Sequence, residues 1–334
     1  MKKPRDASFF IELKLSDATG KGNIRPLGST NLTTKNFLIR HDLQEKHPRD
    51  NFVKKGVYRM PFHRFEEIEK KAVSPHLSSG QGAIVEGDFM YFCQVSKVAG
   101  TGSQIHYHPN ELMIFPIRGK INALVGKDRR VVSPGTFVHV PAYAQHQMIA
   151  TEDGDMDYLY VKDRSWTVVG LDRDQVVPDK APSVEEINEM YEDGSTENLE
   201  KDASKAQIIV EGLNNSYYPI LPSFDAPASS GRHTVWIEGE RLAFGYGEIP
   251  EGFEDQTTEN AHEQFVYVLR GVIDAQVDDE RQQAGPGSII HIPKGSKQSL
   301  STQSGQHARY ASVRAMPKLE EMLREKAAAS AADN

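Results

Sequence analysis

The sequence contains a single cysteine, Cys93, among 334 residues. This scarcity excludes an intrachain disulfide framework and a cysteine-rich zinc site. We expect Cys93 to be a small buried hydrophobic residue in a strand. Basic residues are outnumbered as well, since 39 Lys and Arg against 47 Asp and Glu give a net charge of −8. Proteins that bind nucleic acid need a basic face for the phosphates, so no nucleic-acid partner is expected.

Long apolar runs are also missing from the sequence. It has no stretch of roughly 18 apolar residues, and therefore no membrane span is expected. Near the N-terminus, the apolar residues 9–11 stop at Glu12, which makes this run too short for the core of a signal peptide. The sequence thus predicts a soluble, cytoplasmic protein with no membrane partner.

The composition is that of a globular chain, with 38% hydrophobic and 26% charged residues. From about residue 84, short apolar runs alternate with Gly, Pro, Asp and Asn, which is typical of an all-β sandwich or barrel. The predicted strands are residues 89–98, 103–108, 111–117, 121–125, 136–140, 146–150 and 156–162. An acidic stretch after Gly170 predicts a linker helix, and the last residues from Pro317 predict a terminal helix.

An internal repeat organises the chain. Gly119 and Gly271 are 271 − 119 = 152 positions apart, and seven identical pairs share this offset. The pairs are Glu111/Glu263, Arg118/Arg270, Gly119/Gly271, Pro134/Pro286, Gly135/Gly287, His139/His291 and Pro141/Pro293. They indicate two copies of one β-domain. We predict an N-terminal arm that packs on the barrels (1–83), a first domain (84–170), an acidic helical linker (171–235), a second domain (236–315), and a helix with a tail (316–334).

Three histidines of the first copy form a candidate metal site. His106 and His108 are two apart in a predicted strand, so both imidazoles leave the same face. His146 lies at the start of a later strand, which a barrel can bring beside the first. Three imidazoles that converge inside a barrel suit iron, copper, zinc or nickel.

These residues resemble the two motifs of the cupin superfamily. The matching positions are Gly100, His106, His108, Gly119, Gly135, Pro141 and His146. The resemblance covers about residues 84–165 and extends more weakly to 236–314. It implies an all-β chain of two tandem cupin (jelly-roll-like) β-barrels, a bicupin, with a linker helix and a C-terminal helix.

The first copy departs from the motifs at two positions. The glutamate ligand of the family falls on Leu112, while Glu111 is one residue early and would face the other side of a regular strand. A distorted strand start would restore Glu111 as a ligand, but we favour a site of three histidines. Tyr143 stands where the second motif has glycine.

The second copy has lost the histidine ligands altogether. Its equivalent positions hold Thr258, Asn260, Gln264 and Gln298. Neutral amides and hydroxyls bind metals weakly, so we expect the second barrel to be metal-free and structural. The same copy nevertheless keeps His291 and Arg270, which favours structural roles for their twins His139 and Arg118. It also keeps Glu263, the twin of Glu111, although the histidine ligands are lost.

Three neutral imidazoles leave the full +2 charge on a metal, with open positions for a bidentate anionic substrate and dioxygen. In this respect the chain is similar to the gentisate/salicylate 1,2-dioxygenase group of bicupins. The resemblance implies an Fe(II)-dependent dioxygenase of aromatic catabolism that cleaves an aromatic hydroxy-acid, a diol or a diketone. Fe(II) is the expected metal, with Mn, Ni, Cu and Zn as alternatives. A small-molecule substrate, dioxygen and further copies of the chain in a homo-oligomer are the expected partners.

Gln104, Tyr143 and Glu111 are the candidate catalytic residues beside the metal. Gln104 shares the face of the histidines and is expected to hydrogen-bond a substrate carboxylate or bound oxygen. Tyr143 is expected to offer a hydroxyl near the metal.

Two other classes of function stay open. The first is a metal-dependent isomerase, lyase or decarboxylase acting on a small organic acid, which Glu111 as a fourth ligand would favour. The second is a non-enzymatic bicupin that binds small molecules, which an empty metal site would favour. The fold cannot choose among them, because the cupin barrel carries many functions.

Overall fold

The computed structural model describes residues 60–74, 77–108, 110–165, 215–222, 224 and 231–332. All described residues belong to one compact unit, Asn51–Asn334. Most of the acidic segment that we expect to form the linker helix, residues 171–214, lies outside the described residues. In the described part of the chain, no helix combines the length and the apolar character that crossing a bilayer requires.

Eleven strands come before residue 220 in the chain. They are β1 (Phe62–Arg64), β2 (Lys71–Ala72), β3 (Gln81–Glu86), β4 (Met90–Lys97), β5 (Leu112–Arg118), β6 (Ile121–Val125), β7 (Asp128–Val132), β8 (Thr136–Val140), β9 (His146–Ala150), β10 (Met156–Asp163) and β11 (Tyr217–Pro219). A short 3-10 turn at Phe65–Glu67 follows β1. The first barrel is a seven-stranded sheet in the order β11-β8-β5-β10-β4-β3-β2, which faces a three-stranded sheet, β7-β6-β9.

The second half repeats this plan. Its strands are β12 (His233–Glu238), β13 (Leu242–Ile249), β14 (Thr258–Glu259), β15 (Gln264–Arg270), β16 (Ile273–Val277), β17 (Glu280–Ala284), β18 (Ser288–Ile292), β19 (Lys297–Ser301) and β20 (Ala308–Ala315). They form a six-stranded sheet, β1-β18-β15-β20-β13-β12, and a four-stranded sheet, β14-β19-β16-β17. The helix α1 (Pro317–Ala332) closes the fold. Tandem barrels with a C-terminal helix are therefore confirmed.

The two barrels exchange short strands. β1, which precedes the first barrel, pairs with β18 of the second barrel, with Phe62 opposite Ile290. β11, which precedes the second barrel, pairs with β8 of the first, with Tyr217 opposite Val138. The exchange ties each barrel to the chain segment before its partner.

Alternating side chains build three apolar cores. In β5, Leu112 and Ile114 belong to the interior of the first barrel, whereas Met113 and Phe115 belong to a core shared with the second barrel. This is the period of two expected of a strand that is buried on both faces. The shared core includes Phe92 of β4 stacked on Phe265 of β15, with ring centroids 5.0 Å apart. The large sheets thus pack face to face between the barrels.

Two buried carboxylates clamp the barrels together across this interface. Glu111 accepts hydrogen bonds from the backbone N–H groups of Glu240, Arg241 and Leu242 in the second barrel, at 2.7–2.8 Å. Its Oε1 also lies 2.7 Å from Nε2 of His139.

The twin carboxylate repeats this contact from the other side. Glu263 accepts from the backbone N–H groups of Asp88 and Phe89 in the first barrel and lies 2.9 Å from Nε2 of His291. A Cβ atom at Gly87 would clash with the Glu263 carboxylate, and one at Gly239 would clash with that of Glu111. Each barrel thus contributes one buried glutamate that binds backbone N–H groups of the other barrel. This reciprocal contact, which we call the clamp, explains why Glu111 and Glu263 are identical in the two copies.

The strands predicted for residues 89–162 are confirmed except for 103–108, whereas β1, β2, β3, β7 and β11 were not predicted. Residues 103–108 form isolated bridges rather than a regular strand. The backbone N–H groups of Ser103 and His106 donate to β9, but that of Gln104 between them donates to the carbonyl oxygen of Leu77 at 2.8 Å and interrupts the pairing. The sequence also gave no sign of β7, which has four exposed residues in succession and lacks an apolar alternation. Cys93 is fully buried in β4, as expected.

Candidate metal centre

The three histidines meet in the first barrel. His106 and His146 form a backbone bridge, in which each N–H donates to the carbonyl oxygen of the other at 3.1 and 2.9 Å. Ring centroids are 4.3 Å apart for His106 and His146 and 4.8 Å apart for His108 and His146. One ligand atom from each of the three side chains lies within 4.8 Å of the others. In the part of the chain that the structure describes, this is the only such group of histidine, cysteine and carboxylate side chains.

Backbone carbonyls fix the orientation of each imidazole. Nδ1 of His106 lies 2.8 Å from the carbonyl oxygen of Gln104, and Nδ1 of His146 lies 2.9 Å from that of Ala144. Nδ1 of His108 lies 3.2 Å from the carbonyl oxygen of Asn110. A carbonyl only accepts, so each Nδ1 must carry the proton and each Nε2 keeps its lone pair. This tautomer is the one that a metal-binding imidazole needs.

The surroundings of the site favour the neutral form of two of the imidazoles, those of His108 and His146. Burial lowers the pKa of His108 well below its usual value, and the positive charge of Lys162 lowers it further. Burial and the neighbouring His106 do the same to the pKa of His146. Neutral histidine is the form that binds metals, so the site needs no proton release at neutral pH.

A metal ion fits these residues. Nε2 of His108 is buried and has no hydrogen-bond partner. A buried nitrogen lone pair without a partner is costly unless something occupies it. One ligand atom from each of His106, His108 and His146 lies within 4.8 Å of the others, and with a carbonyl behind each ring they form the kind of set that holds a divalent cation.

Glu111 lies outside this cluster. Both of its oxygens are used by three backbone N–H groups and His139 in the clamp between the barrels. Its neighbour Leu112 points into the first barrel instead. The strand therefore keeps its regular alternation, and the placement corrects the expectation that Glu111 serves as a catalytic residue or fourth ligand.

Tyr143 occupies the loop next to the cluster. Its backbone N–H donates to the carbonyl oxygen of His108 at 2.8 Å. The residue has a φ of 64°, in the left-handed region that favours glycine, and its twin in the second barrel is Gly295 with a φ of 82°. A non-glycine residue held in this conformation costs about 1–3 kcal/mol, which points to a use for its side chain.

Gln104 is buried, with 2% of its surface exposed. Its carbonyl oxygen orients His106, as described above. The backbone of Gln104 thus supports the metal centre directly, while a contact between its side chain and the substrate stays a prediction.

Two buried lysines of the first barrel were missed by the sequence reasoning. Lys97 ends β4, and its Nζ donates to the carbonyl oxygen of Met148 at 2.8 Å. Lys162 lies in β10, and each lysine has 4% of its surface exposed. Burial lowers the pKa of Lys97 to about 7 and that of Lys162 to about 8. The signal was present in the sequence, since Lys162 shares its strand parity with Met156 and Tyr158, which face the barrel interior.

The equivalent positions of the second barrel bond to their neighbours. Gln298 Nε2 donates to Thr258 Oγ1 at 3.1 Å, and Gln264 Nε2 donates to Ser312 Oγ at 2.9 Å. Asn260 Nδ2 donates to the carbonyl oxygen of His262. These side chains supply amide and hydroxyl groups where the first barrel supplies imidazoles.

The surface pair that includes Arg118 is separate from the centre. Its Nε lies 2.6 Å from Asp157 Oδ2, and 60% of the arginine side chain is exposed. This contact agrees with the structural role expected for Arg118.

Comparisons with known proteins agree with this architecture. Residues 95–162 and 245–314 match the family model of the cupin domain. Two solved structures of oxalate decarboxylase from Bacillus subtilis are similar to the chain, one of them studied for its Mn(II) centres. They have 15% and 12% identity and TM-scores of 0.53 and 0.52, and in both cases 78% of each chain is covered. AerE from Microcystis aeruginosa has 10% identity and a TM-score of 0.48, with 74% of this chain and 99% of that chain covered.

No curated protein matches the sequence significantly. At the identities found, the likeness to solved structures concerns the fold alone. The two family matches coincide with the two barrels described above. Each half of the chain therefore contains one segment that matches the cupin-domain model, and each segment lies within one barrel.

Proposed function

We propose that the protein is an Fe(II)-dependent dioxygenase that cleaves an aromatic hydroxy-acid, diol or diketone at the centre formed by His106, His108 and His146. The observation that carries the proposal is the donor set, three neutral imidazoles without a carboxylate. A carboxylate ligand would cancel part of the metal charge and occupy a position. Its absence leaves the full charge and room for a substrate that binds through two oxygens.

The residues of the chain prepare this centre. When bound, the metal would act as a Lewis acid that polarises the substrate and makes it reactive towards dioxygen. The carbonyls of Gln104, Asn110 and Ala144 hold the imidazoles in place. Gln104 and Tyr143 are the candidate groups to orient the substrate, through an amide and a hydroxyl.

A metal-dependent decarboxylase, isomerase or lyase acting on a small organic acid is the second candidate. It is favoured by the likeness to oxalate decarboxylase, whose structures include one studied for its Mn(II) centres. This reaction class needs no net consumption of dioxygen. The two candidates therefore differ in a quantity that is easily measured.

The test is anaerobic reconstitution with Fe(II), followed by addition of oxygen in an electrode cell. The substrate panel contains gentisate, salicylate, hydroxynaphthoates, catechols and β-diketones, and oxalate is included with Mn(II)-loaded protein. The proposal expects oxygen uptake in a one-to-one ratio with loss of one aromatic or diketone substrate. Turnover of these substrates without oxygen uptake, or release of carbon dioxide from oxalate alone, would overturn it.

A matched pair of variants locates the activity. His106→Ala removes one imidazole of the centre, while His233→Ala removes an exposed histidine of β12 in the second barrel. We expect the first variant to lose metal and turnover and the second to keep both. Full activity in His106→Ala would place the reaction elsewhere.

A further inference from the structure

We infer that the second barrel holds His108 in its metal-binding orientation through three positioning residues. They are Asn110 and Asp163 of the first barrel and Arg241 of the second. These residues are not ligands themselves and act through the imidazole. The inference goes beyond the proposed reaction, and of the proposed function it takes only the three-histidine centre.

A continuous path of contacts runs from this imidazole to the second barrel. Nδ1 of His108 donates to the carbonyl oxygen of Asn110 at 3.2 Å. The side chain of Asn110 donates through Nδ2 to the carbonyl oxygen of Asp163 at 2.7 Å and to its Oδ1 at 3.2 Å. Oδ2 of the same carboxylate lies 3.3 Å from Nη1 of Arg241. The residue behind His108 is therefore held by a side chain that the other barrel supplies.

The whole path is buried. Asn110 and Asp163 are 0% exposed, whereas His108 and Arg241 are 5% and 8% exposed. When one partner of a buried hydrogen bond is removed, water cannot take its place and the remaining group must shift or stay unpaired. The loss of one contact therefore disturbs the next one along the path, which ends at the imidazole.

The internal repeat separates this path from the clamp itself. Beside the first clamp glutamate, the backbone N–H of Asp163 donates to the carbonyl oxygen of Glu111 at 3.3 Å. Beside the second, the backbone N–H of Ala315 donates to the carbonyl oxygen of Glu263 at 2.9 Å. The backbone next to the clamp is thus bonded in the same way in both barrels.

The side chains at the equivalent positions differ between the barrels. The positions 152 residues away from Asn110, Asp163 and Arg241 hold His262, Ala315 and Phe89. Alanine and phenylalanine side chains have no hydrogen-bonding group. The His262 side chain meets Glu320 of α1 instead, with Nδ1 and Oε1 3.0 Å apart. The barrel without imidazole ligands therefore keeps the clamp and lacks the polar path, which associates the path with the metal centre rather than with the fold.

A held Nδ1 matters because the metal would bind at the other ring nitrogen. The group that accepts from Nδ1 fixes the tautomer of the imidazole and the direction of the Nε2 lone pair. Among the described residues, Nε2 of His108 has no hydrogen-bond partner of its own. The direction of this ring in the metal-free protein is thus set by packing and by the contact with Asn110.

The test measures binding of Co(II) alone to the metal-free, full-length protein. Arg241→Met removes the guanidinium and leaves the backbone of the clamp in place, while Asn110→Ala removes the side-chain amide and leaves the carbonyl. Arg309→Met is the matched control, because it breaks another buried ion pair of the second barrel, with Glu248 at 2.7 Å, outside this path. Competition with a chelator gives the Co(II) affinity, d–d absorption reports the coordination geometry, and thermal unfolding gives the stability.

We expect Arg241→Met and Asn110→Ala to bind Co(II) about tenfold to hundredfold more weakly, with an altered d–d spectrum, as for other residues that orient a ligand. Arg309→Met should lose stability but keep the wild-type spectrum and an affinity within about twofold, as for distant independent sites. Because Arg241 acts through Asn110, the double variant Asn110→Ala/Arg241→Met should bind Co(II) as Asn110→Ala does.

An unchanged Co(II) affinity and spectrum in Arg241→Met would overturn the inference. Equal weakening in Arg309→Met, or losses that multiply in the double variant, would overturn it as well. If wild type binds no Co(II), the proposed centre and the inference both fail. If the variants bind Co(II) as expected but no substrate consumes oxygen, the proposed reaction fails and the inference stands.

Discussion

Substitution of the clamp carboxylate Glu111 by glutamine separates a structural role from a role at the metal. The Glu111 carboxylate accepts three backbone N–H groups at 2.7–2.8 Å and lies 2.7 Å from His139 Nε2. Glutamine keeps the shape but turns an amide NH₂ towards these donors. Breaking one partner out of a buried charged network costs about 3–5 kcal/mol. We expect Glu111→Gln to lose this amount of unfolding free energy and to keep its metal.

The repeat supplies the control for this variant. Glu263→Gln breaks the twin clamp, in which the carboxylate accepts from Asp88, Phe89 and His291. Glu263→Gln should lose a similar unfolding free energy, because it breaks an equivalent clamp. It should also keep the metal, because its barrel has amides and hydroxyls in place of the imidazoles. Thermal or urea unfolding gives the stability, and elemental analysis gives the metal per chain. Loss of metal in Glu111→Gln alone, with unfolding unchanged, would refute the clamp.

The same clamp also predicts how the free energy of unfolding changes at acid pH. Burial opposes ionisation of Glu111, but the hydrogen bonds from His139 and from the backbone of Arg241 and Glu240 outweigh it and lower the pKa. A lowered folded-state pKa means that the stabilisation is present above the ordinary value of 4.5 and is lost as the pH falls through the folded-state pKa. Glu111→Gln should therefore lose less stability on acidification than wild type does.

Three further predictions concern other buried or strained residues. The pKa of Lys97 is lowered to about 7 by burial, so the unfolded chain binds more protons above that pH, and unfolding free energy should rise between pH 7 and 10. Lys97→Met should flatten this rise in pH-dependent urea titrations, and an identical slope would contradict it. Tyr143→Gly should stay within about 1 kcal/mol of wild type, because glycine accepts the φ of 64° at Tyr143; with metal retained, an unchanged turnover number would exclude a role for the hydroxyl. Cys93 is fully buried and its pKa is raised, so a thiol reagent should label it only after denaturation.

Much of the fold was readable from the sequence because its signals are local or repeated. The offset of 152 positions between Gly119 and Gly271 predicted two copies of one β-domain. In the structure both glycines adopt positive φ. The spacing of His106, His108 and His146 predicted three converging imidazoles, and the structure brings them together. The parity of Glu111 in its strand also predicted that its side chain would leave on the face away from the barrel interior.

Other features depend on contacts between distant segments. The pairing of β1 with β18 and of β11 with β8 joins residues far apart in sequence, and no periodicity in either segment specifies its partner. The three backbone N–H donors around the Glu111 carboxylate come from residues 240–242 of the other barrel. The lysines were overlooked because a charged residue on an apolar strand face usually marks a strand end. Only the register of β10, with Lys162 opposite Leu112, shows that Lys162 leaves the strand on the interior face of the first barrel.

The metal content per chain tests the central claim most directly. We expect one metal at His106, His108 and His146 in the first barrel, and none at Thr258, Asn260, Gln264 and Gln298 in the second. After anaerobic loading with Fe(II) and removal of free ions, elemental analysis should find one metal per wild-type chain and close to none in His108→Ala. Two tightly bound ions per chain, or one ion retained in His108→Ala, would contradict the account.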